Sequence, residues 1–138
     1  MADVTLTAAS VVAGTGAIVV EGIAGATIAQ GKAVVLNSAN EYVLADCTDK
    51  DLDAVAGIAL TASIDNGPIK IITGGNLTTA AQLTAGTVYV LSEAGLIAPL
   101  ADWLAATDYL TVVGVATSTT NLKIPNGGPV VTGYGATG

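Results

Sequence analysis

Two nine-residue stretches decide the fold: Ile28-Ala29-Gln30-Gly31-Lys32-Ala33-Val34-Val35-Leu36 and Leu83-Thr84-Ala85-Gly86-Thr87-Val88-Tyr89-Val90-Leu91. Each opens on an apolar residue, turns at a glycine and runs into a short apolar strand. Gly86 lies 55 residues beyond Gly31. The same separation holds across the next turn, where Ala39-Asn40-Glu41-Tyr42 stands opposite Ala94-Gly95-Leu96-Ile97. Val55-Ala56-Gly57-Ile58-Ala59 then matches Val112-Val113-Gly114-Val115-Ala116 at 57 residues. Ile69-Lys70-Ile71 with Gly74-Gly75 echoes Leu122-Lys123-Ile124 with Gly127-Gly128 at 53. Three matched blocks in one order favour an internal duplication over a chance likeness of Gly/Val strands. Two halves, residues 27–75 and 82–128, would share one core, with the first 20 or so residues outside both copies.

Outward from these stretches the chain reads as short strands: Ala17–Val20, Ala33–Leu36, Glu41–Ala45, Val55–Leu60, Ile69–Ile72, Thr87–Leu91, Tyr109–Ala116 and Leu122–Ile124. Between them fall turn signals, among them Asn37-Ser38-Ala39-Asn40, Asp65-Asn66-Gly67-Pro68, Gly74-Gly75-Asn76, Glu93-Ala94-Gly95 and Asn126-Gly127-Gly128-Pro129. These residues tolerate positive φ or withdraw a backbone donor from the ladder. Residues 99–106 are richer in helix formers and predict at most one short helix, with Leu100, Trp103 and Leu104 on its buried face. The expected architecture is all-β, a compact barrel or sandwich of two similar half-units in a single domain spanning residues 1–138. Residues 1–20 are a candidate N-terminal arm and 129–138 a C-terminal tail.

Composition narrows the function. The 138 residues are 51% hydrophobic but only 4% aromatic and 11% charged, with 17 glycines, no Phe and no His. All four cationic side chains are lysines, Lys32, Lys50, Lys70 and Lys123, so the chain has no arginine. That excludes Ser-His-Asp and Cys-His catalysis, His-ligated metal and arginine clamps. A net charge of −7 opposes nucleic acid. No apolar run approaches the roughly 18–20 residues of a spanning helix, so no membrane partner is expected. The start lacks a basic signal-peptide region, and the lone Cys47 fits a reducing compartment during folding. High apolar content with few charges predicts apolar surface covered by other subunits.

No motif carries chemistry. Asp46, Asp49, Asp51 and Asp53 form the densest carboxylate group and would be the ligands if a cation bound there. The EF-hand spacing is absent, and a solvated loop is the plainer reading. Gly14-Thr15-Gly16-Ala17-Ile18-Val19 lacks the third glycine and the following helix of a dinucleotide fingerprint. Cys47 has no His or Arg nearby in sequence to lower its pKa. Nothing in their context selects a catalytic pair from Glu21, Glu41 and Glu93. Asn76-Leu77-Thr78 is a glycosylation sequon that matters only along a secretory route. No catalytic, cofactor-binding or metal-ligating residues are assigned, and no cofactor. Tyr42, Tyr89, Trp103 and Tyr109 are the large rings besides Tyr134, and three of them are expected in the core or in a seam between subunits. The candidate partner-binding residues are Val4, Thr5, Leu6 and Thr7 at one end and Val130, Val131 and Tyr134 at the other, as extended arms against a neighbour.

The order of elements resembles the capsid-decoration, or cement, proteins of tailed bacteriophages. The residues that carry the likeness run from Ala26 to Leu36, Tyr42 to Asp46, Val55 to Leu60, Leu83 to Ser92 and Gly114 to Ala116, within about residues 10–125. The resemblance implies a compact β-protein that binds the capsid exterior, usually as a trimer, and reinforces the expanded shell against packaged DNA. The implied partners are the major capsid protein and further copies of the chain as a homotrimer. The implied location is the outside of the virion, after synthesis in the host cytoplasm. No catalytic residue carries over. The composition suits such a role, because ordering each Lys or Arg at a repeated contact costs up to about 2 kcal/mol of rotamer entropy. Simultaneous contacts would then raise avidity. Two other classes are a fibre, tail-surface or adhesin domain binding glycans, which needs an aromatic-lined patch, and a carboxylate-dependent hydrolase.

Overall fold

The computed structural model describes residues 4, 6–49, 52, 54–100, 110–125 and 128–131, with Val130 and Val131 as backbone alone. The protein is all-β. Its strands are β1 (Val12–Ala13), β2 (Ile18–Ile23), β3 (Ala33–Leu36), β4 (Tyr42–Leu44), β5 (Gly57–Ala59), β6 (Pro68–Thr78), β7 (Val88–Leu91), β8 (Ile97–Pro99), β9 (Thr111–Ala116), β10 (Asn121–Ile124) and β11 (Val130–Val131). Ala8–Ser10 forms a single 3₁₀ turn, Glu93–Gly95 is a tight turn with Ala94 in the left-handed region, and no helix among the described residues reaches seven residues. The expected helix at 99–106 lies mostly outside the described residues. Its first residue, Pro99, ends β8.

All strands join one antiparallel sheet, curled into a half-barrel. Its order is β4-β3-β5-β6-β10-β9-β7-β8, with β1 and β2 added to β6 and β11 to β9. From either edge inward the sheet therefore repeats one scheme: hairpin, third strand, fourth strand. The registers repeat as well. Val34 pairs with Leu44 as Tyr89 pairs with Pro99, and Leu36 with Tyr42 as Leu91 with Ile97. Val34 pairs with Gly57 as Tyr89 pairs with Gly114. Gly31 N–H donates to the Ala59 carbonyl at 2.8 Å, and Gly86 N–H to that of Ala116 at 2.7 Å.

The fourth strands refine the sequence alignment. Ala59 pairs with Ile71 as Ala116 pairs with Leu122, and Leu60 N–H bonds the Lys70 carbonyl as Thr117 N–H bonds that of Asn121. The separation here is 51 residues rather than 53. The connection before β6 spans 60–67, whereas 117–120 suffices before β10. A slip of two keeps every side chain on its own face, so the sequence motif still matched.

Gly57 and Gly114 explain why a glycine stands at the centre of each third strand. A Cβ on Gly57 would run into the Ile72 carbonyl oxygen, and one on Gly114 into that of Lys123. Gly74-Gly75-Asn76 behaves unlike a turn, since β6 continues through it. Ile18 pairs with Gly74 but Val19 with Ile72, which leaves Thr73 as a bulge. Gly75 takes φ +84° against the Gly16 carbonyl, where a Cβ has no room.

Two cores result. The main core draws Ala33, Val35, Ile58 and Ile72 from the first half of the sheet and Tyr89, Leu91, Val113 and Leu122 from the second. Tyr89 is buried there, and its hydroxyl accepts the Thr84 N–H at 2.9 Å. A smaller core on the other face holds Ala24, Ile28, Val34, Ala59, Ile69 and Ile71, with Tyr42 and Ala56 packed against it. The bulge in β6 sets this arrangement, because it exchanges the faces that matching residues present. Ile28, Val34, Tyr42, Ala56, Ala59 and Ile71 belong to the small core. Their partners in the second half, Leu83, Tyr89, Ile97, Val113, Ala116 and Leu122, all lie in the main core.

Candidate interaction surface

Among the described residues the polar side chains form no reactive cluster. Asp46 accepts the Thr48 N–H at 2.9 Å and the Thr48 hydroxyl at 2.7 Å through one carboxylate oxygen, a local turn rather than a cage. Asp51 and Asp53 lie outside the described residues, and among those described no group of three His, Cys, Asp or Glu side chains is placed to hold a metal ion. Glu21 meets Lys70 at 3.6 Å across β2 and β6, with both side chains exposed. Such a pair contributes about 0–1 kcal/mol. Glu41 flanks the β3–β4 hairpin, and Glu93 sits in the turn between β7 and β8, so the three glutamates stand on separate elements. Cys47 is a buried cysteine of the main core.

The surface is instead marked by apolar side chains. Ile64 is 71% exposed, Leu36 48%, and Ile23 43%. Around the 61–68 loop, two adjoining grooves of about 550 and 640 Å³ share Ala62 and Pro68 in their walls. The first runs along Ile23 and Ile69, the second between Ile28 and Ile64. On the opposite half, Val115 is 39% exposed beside Lys123. None of these residues stood out in the sequence. Leu36 and Val115 occupy ordinary strand positions, and only their surroundings distinguish them.

The terminal candidates are placed as follows. Val4 N–H donates to the Ile97 carbonyl at 2.7 Å, and its half-buried side chain packs on the main core. Leu6 is buried in that core. Thr7 is exposed, and its N–H donates to Gln82 Oε1 at 2.7 Å. Val130 and Val131 pair through their backbone with Val112 and Thr111. Thr5 and Tyr134 lie outside the described residues, as do Trp103 and Tyr109. Beyond residue 10 the N-terminal segment is tied to β6 through β1 and β2, and Val11 is fully buried. Among the described residues no helix is long and apolar enough to cross a membrane.

Comparisons with protein-family models, curated proteins and solved structures give no match for this chain.

Proposed function

We propose that this chain is a structural virion protein. It binds the outer surface of a tailed-phage capsid as a homotrimer and stabilises the shell by bridging major capsid protein subunits. The observation that carries the reading is the succession of strand blocks that resembles capsid-decoration proteins. Those blocks lead into or lie on β3, β4, β5, β7 and β9. The exposed apolar side chains and the scarcity of long charged ones agree with a protein whose work is contact rather than chemistry. We also read residues 27–75 and 82–128 as two similar half-units of one domain, supported by the repeated registers of β3–β6 and β7–β10.

The test is co-sedimentation of the purified protein with capsids assembled from the major capsid protein of the same genome. Saturable binding to expanded shells, and none to unexpanded ones, is the expected result. Absence of binding to both removes the reading. A Tyr- or Trp-dependent glycan-array signal instead would favour a host-binding fibre or adhesin domain.

A further inference from the structure

A piece of the N-terminal segment closes the hairpin of each half-unit, and the two closures are unequally fastened. The Tyr42 carbonyl of β4 accepts the Gly25 N–H at 2.8 Å. The Ile97 carbonyl, its counterpart on β8, accepts the Val4 N–H at 2.7 Å. The first closure is tied along its length. β2 pairs with β6 from Ile18 to Ile23, and Ala24 beyond it is fully buried. Ala24 N–H donates to the Gly67 carbonyl at 2.9 Å, and its own carbonyl accepts the Asn66 N–H at 2.7 Å. The second closure is held at separate points. Val4 bonds Ile97, Leu6 is buried in the main core, and Thr7 N–H reaches Gln82 Oε1 at 2.7 Å. Behind them Ala8–Ser10 form a 3₁₀ turn with no buried residue. Val11 anchors the chain again. It is fully buried, its carbonyl accepts Gln30 Nε2 at 2.8 Å, and β1 follows on β6.

We infer that Val4, Leu6 and Thr7 form a latch that opens on its own. The lane it leaves beside β8 accepts an extended segment with apolar residues two positions apart. Opening breaks the Val4 and Thr7 hydrogen bonds and uncovers Leu6, and the unburied turn at Ala8–Ser10 supplies the hinge. It stops at Val11, so the pairing of β1 and β2 with β6 is untouched. The vacated lane favours a replacement for two reasons. The Ile97 carbonyl loses its donor, and the place of Leu6 in the main core is left unfilled. Gly31 beside it has no side chain to fill the gap, since a Cβ there would already lie 3.4 Å from Leu6 Cβ. What suits the lane is what now sits in it. Val4 and Leu6, two residues apart, both pack on the main core while the Val4 N–H meets Ile97. The latch therefore competes with any such segment and weakens its binding by the fraction of time the lane is closed.

The inference stands apart from the capsid reading, so it is tested without a capsid. The probe is a fluorescent peptide of residues 2–8, titrated into the full-length chain and followed by anisotropy. Saturable binding is expected. It should be at least about tenfold tighter to the Val4→Pro chain, which lacks the N–H that holds the latch to Ile97. Leu6→Asp in the chain should act in the same direction. Should that variant lose its β-sheet circular dichroism, Val4→Pro decides, because it leaves every fully buried side chain unchanged. A peptide that itself carries Leu6→Asp should not bind. Hydrogen exchange of the wild-type chain gives an independent reading, with the Val4 amide exchanging well before those of β6. No binding to the Val4→Pro chain overturns the inference, and so does equal affinity for that chain and the wild type. A Val4 amide as slow as those of β6 overturns it too. Absence of capsid binding with this pattern intact would count against the capsid reading alone.

Discussion

The β3–β6 and β7–β10 units share their hairpin registers and turn opposite faces to the main core. Leu36 and Leu91 close the same hairpin in the same register, yet one is half in solvent and the other is fully buried. Ile72 is fully buried, while Lys123 at the matching position is exposed. Register decides which residues look the same way. What lies over that face decides whether burial contributes stability. The bulge at Thr73 reverses the sense of β6 and so presents one unit to the core by one face and the other unit by its reverse.

The sharpest way to break this comparison is to exchange the residues where the units differ most. Ile72→Lys places a charge without a partner in the main core and should cost about 4–5 kcal/mol or more, enough to unfold a domain of ordinary stability. Lys123→Ile should change the stability of the dilute monomer by no more than about 0.5 kcal/mol. Urea denaturation followed by circular dichroism reads both. Equal costs at the two positions would mean that the faces are not in fact distinct.

The hairpin leucines give the next largest contrast. Leu91→Ala removes a fully buried side chain and is expected to cost about 2–5 kcal/mol. Leu36→Ala should cost under about 1 kcal/mol at concentrations where the protein is monomeric, because half of that side chain is already in water. Below these come the paired glycines. Gly57→Ala and Gly114→Ala should each cost about 1–3 kcal/mol, since each new methyl meets the backbone of the neighbouring strand rather than a side chain that can turn away. Thermal melts that leave either variant at wild-type stability would show that β5 or β9 can separate from its neighbour at little cost.

Much of the strand plan was legible, and the reason is local. Ala33–Leu36 was bounded correctly because a glycine turn precedes it and Asn37 accepts the Ala39 and Glu41 N–H groups after it. The sequence ends β6 near Ile72, because Gly74-Gly75 is a turn signal when the partner strand is unseen. Only the approach of Gly16 shows that the glycines serve a bulge instead. β8 has no strand signal of its own, since Ile97–Pro99 is short and ends in proline, although the repeat sets Ile97 opposite Tyr42. The surface was the least legible part. Alternation is alike in both units, so nothing in Leu36 or Val115 themselves announces exposure. Leu6 reads as part of an extended arm because its burial depends on the assembled main core, which no local pattern in residues 4–7 announces.

The smallest predicted effect separates the two hairpin turns. In the second unit Ala94 adopts φ 53°, ψ 40° and Gly95 φ 77°, so two successive residues are left-handed, as in the tight turns that suit hairpins. In the first unit the left-handed residue is Asn40, the counterpart of Gly95, while Ala39, the counterpart of Ala94, is not left-handed. An L-residue held in that region costs roughly 1–2 kcal/mol, whereas a glycine there loses about 0.5–1 kcal/mol through the freedom of the unfolded chain. Ala94→Gly should therefore stabilise the protein by about 0.5–1 kcal/mol, a rise of about 2–4 °C in Tm. Ala39→Gly gains no relief and keeps the entropic cost, so it should lower stability by about 0.5–1 kcal/mol. The same substitution at matching positions thus carries opposite signs. Melting temperatures that fall for both variants would mean that Ala94 bears no strain and that the two hairpins close alike.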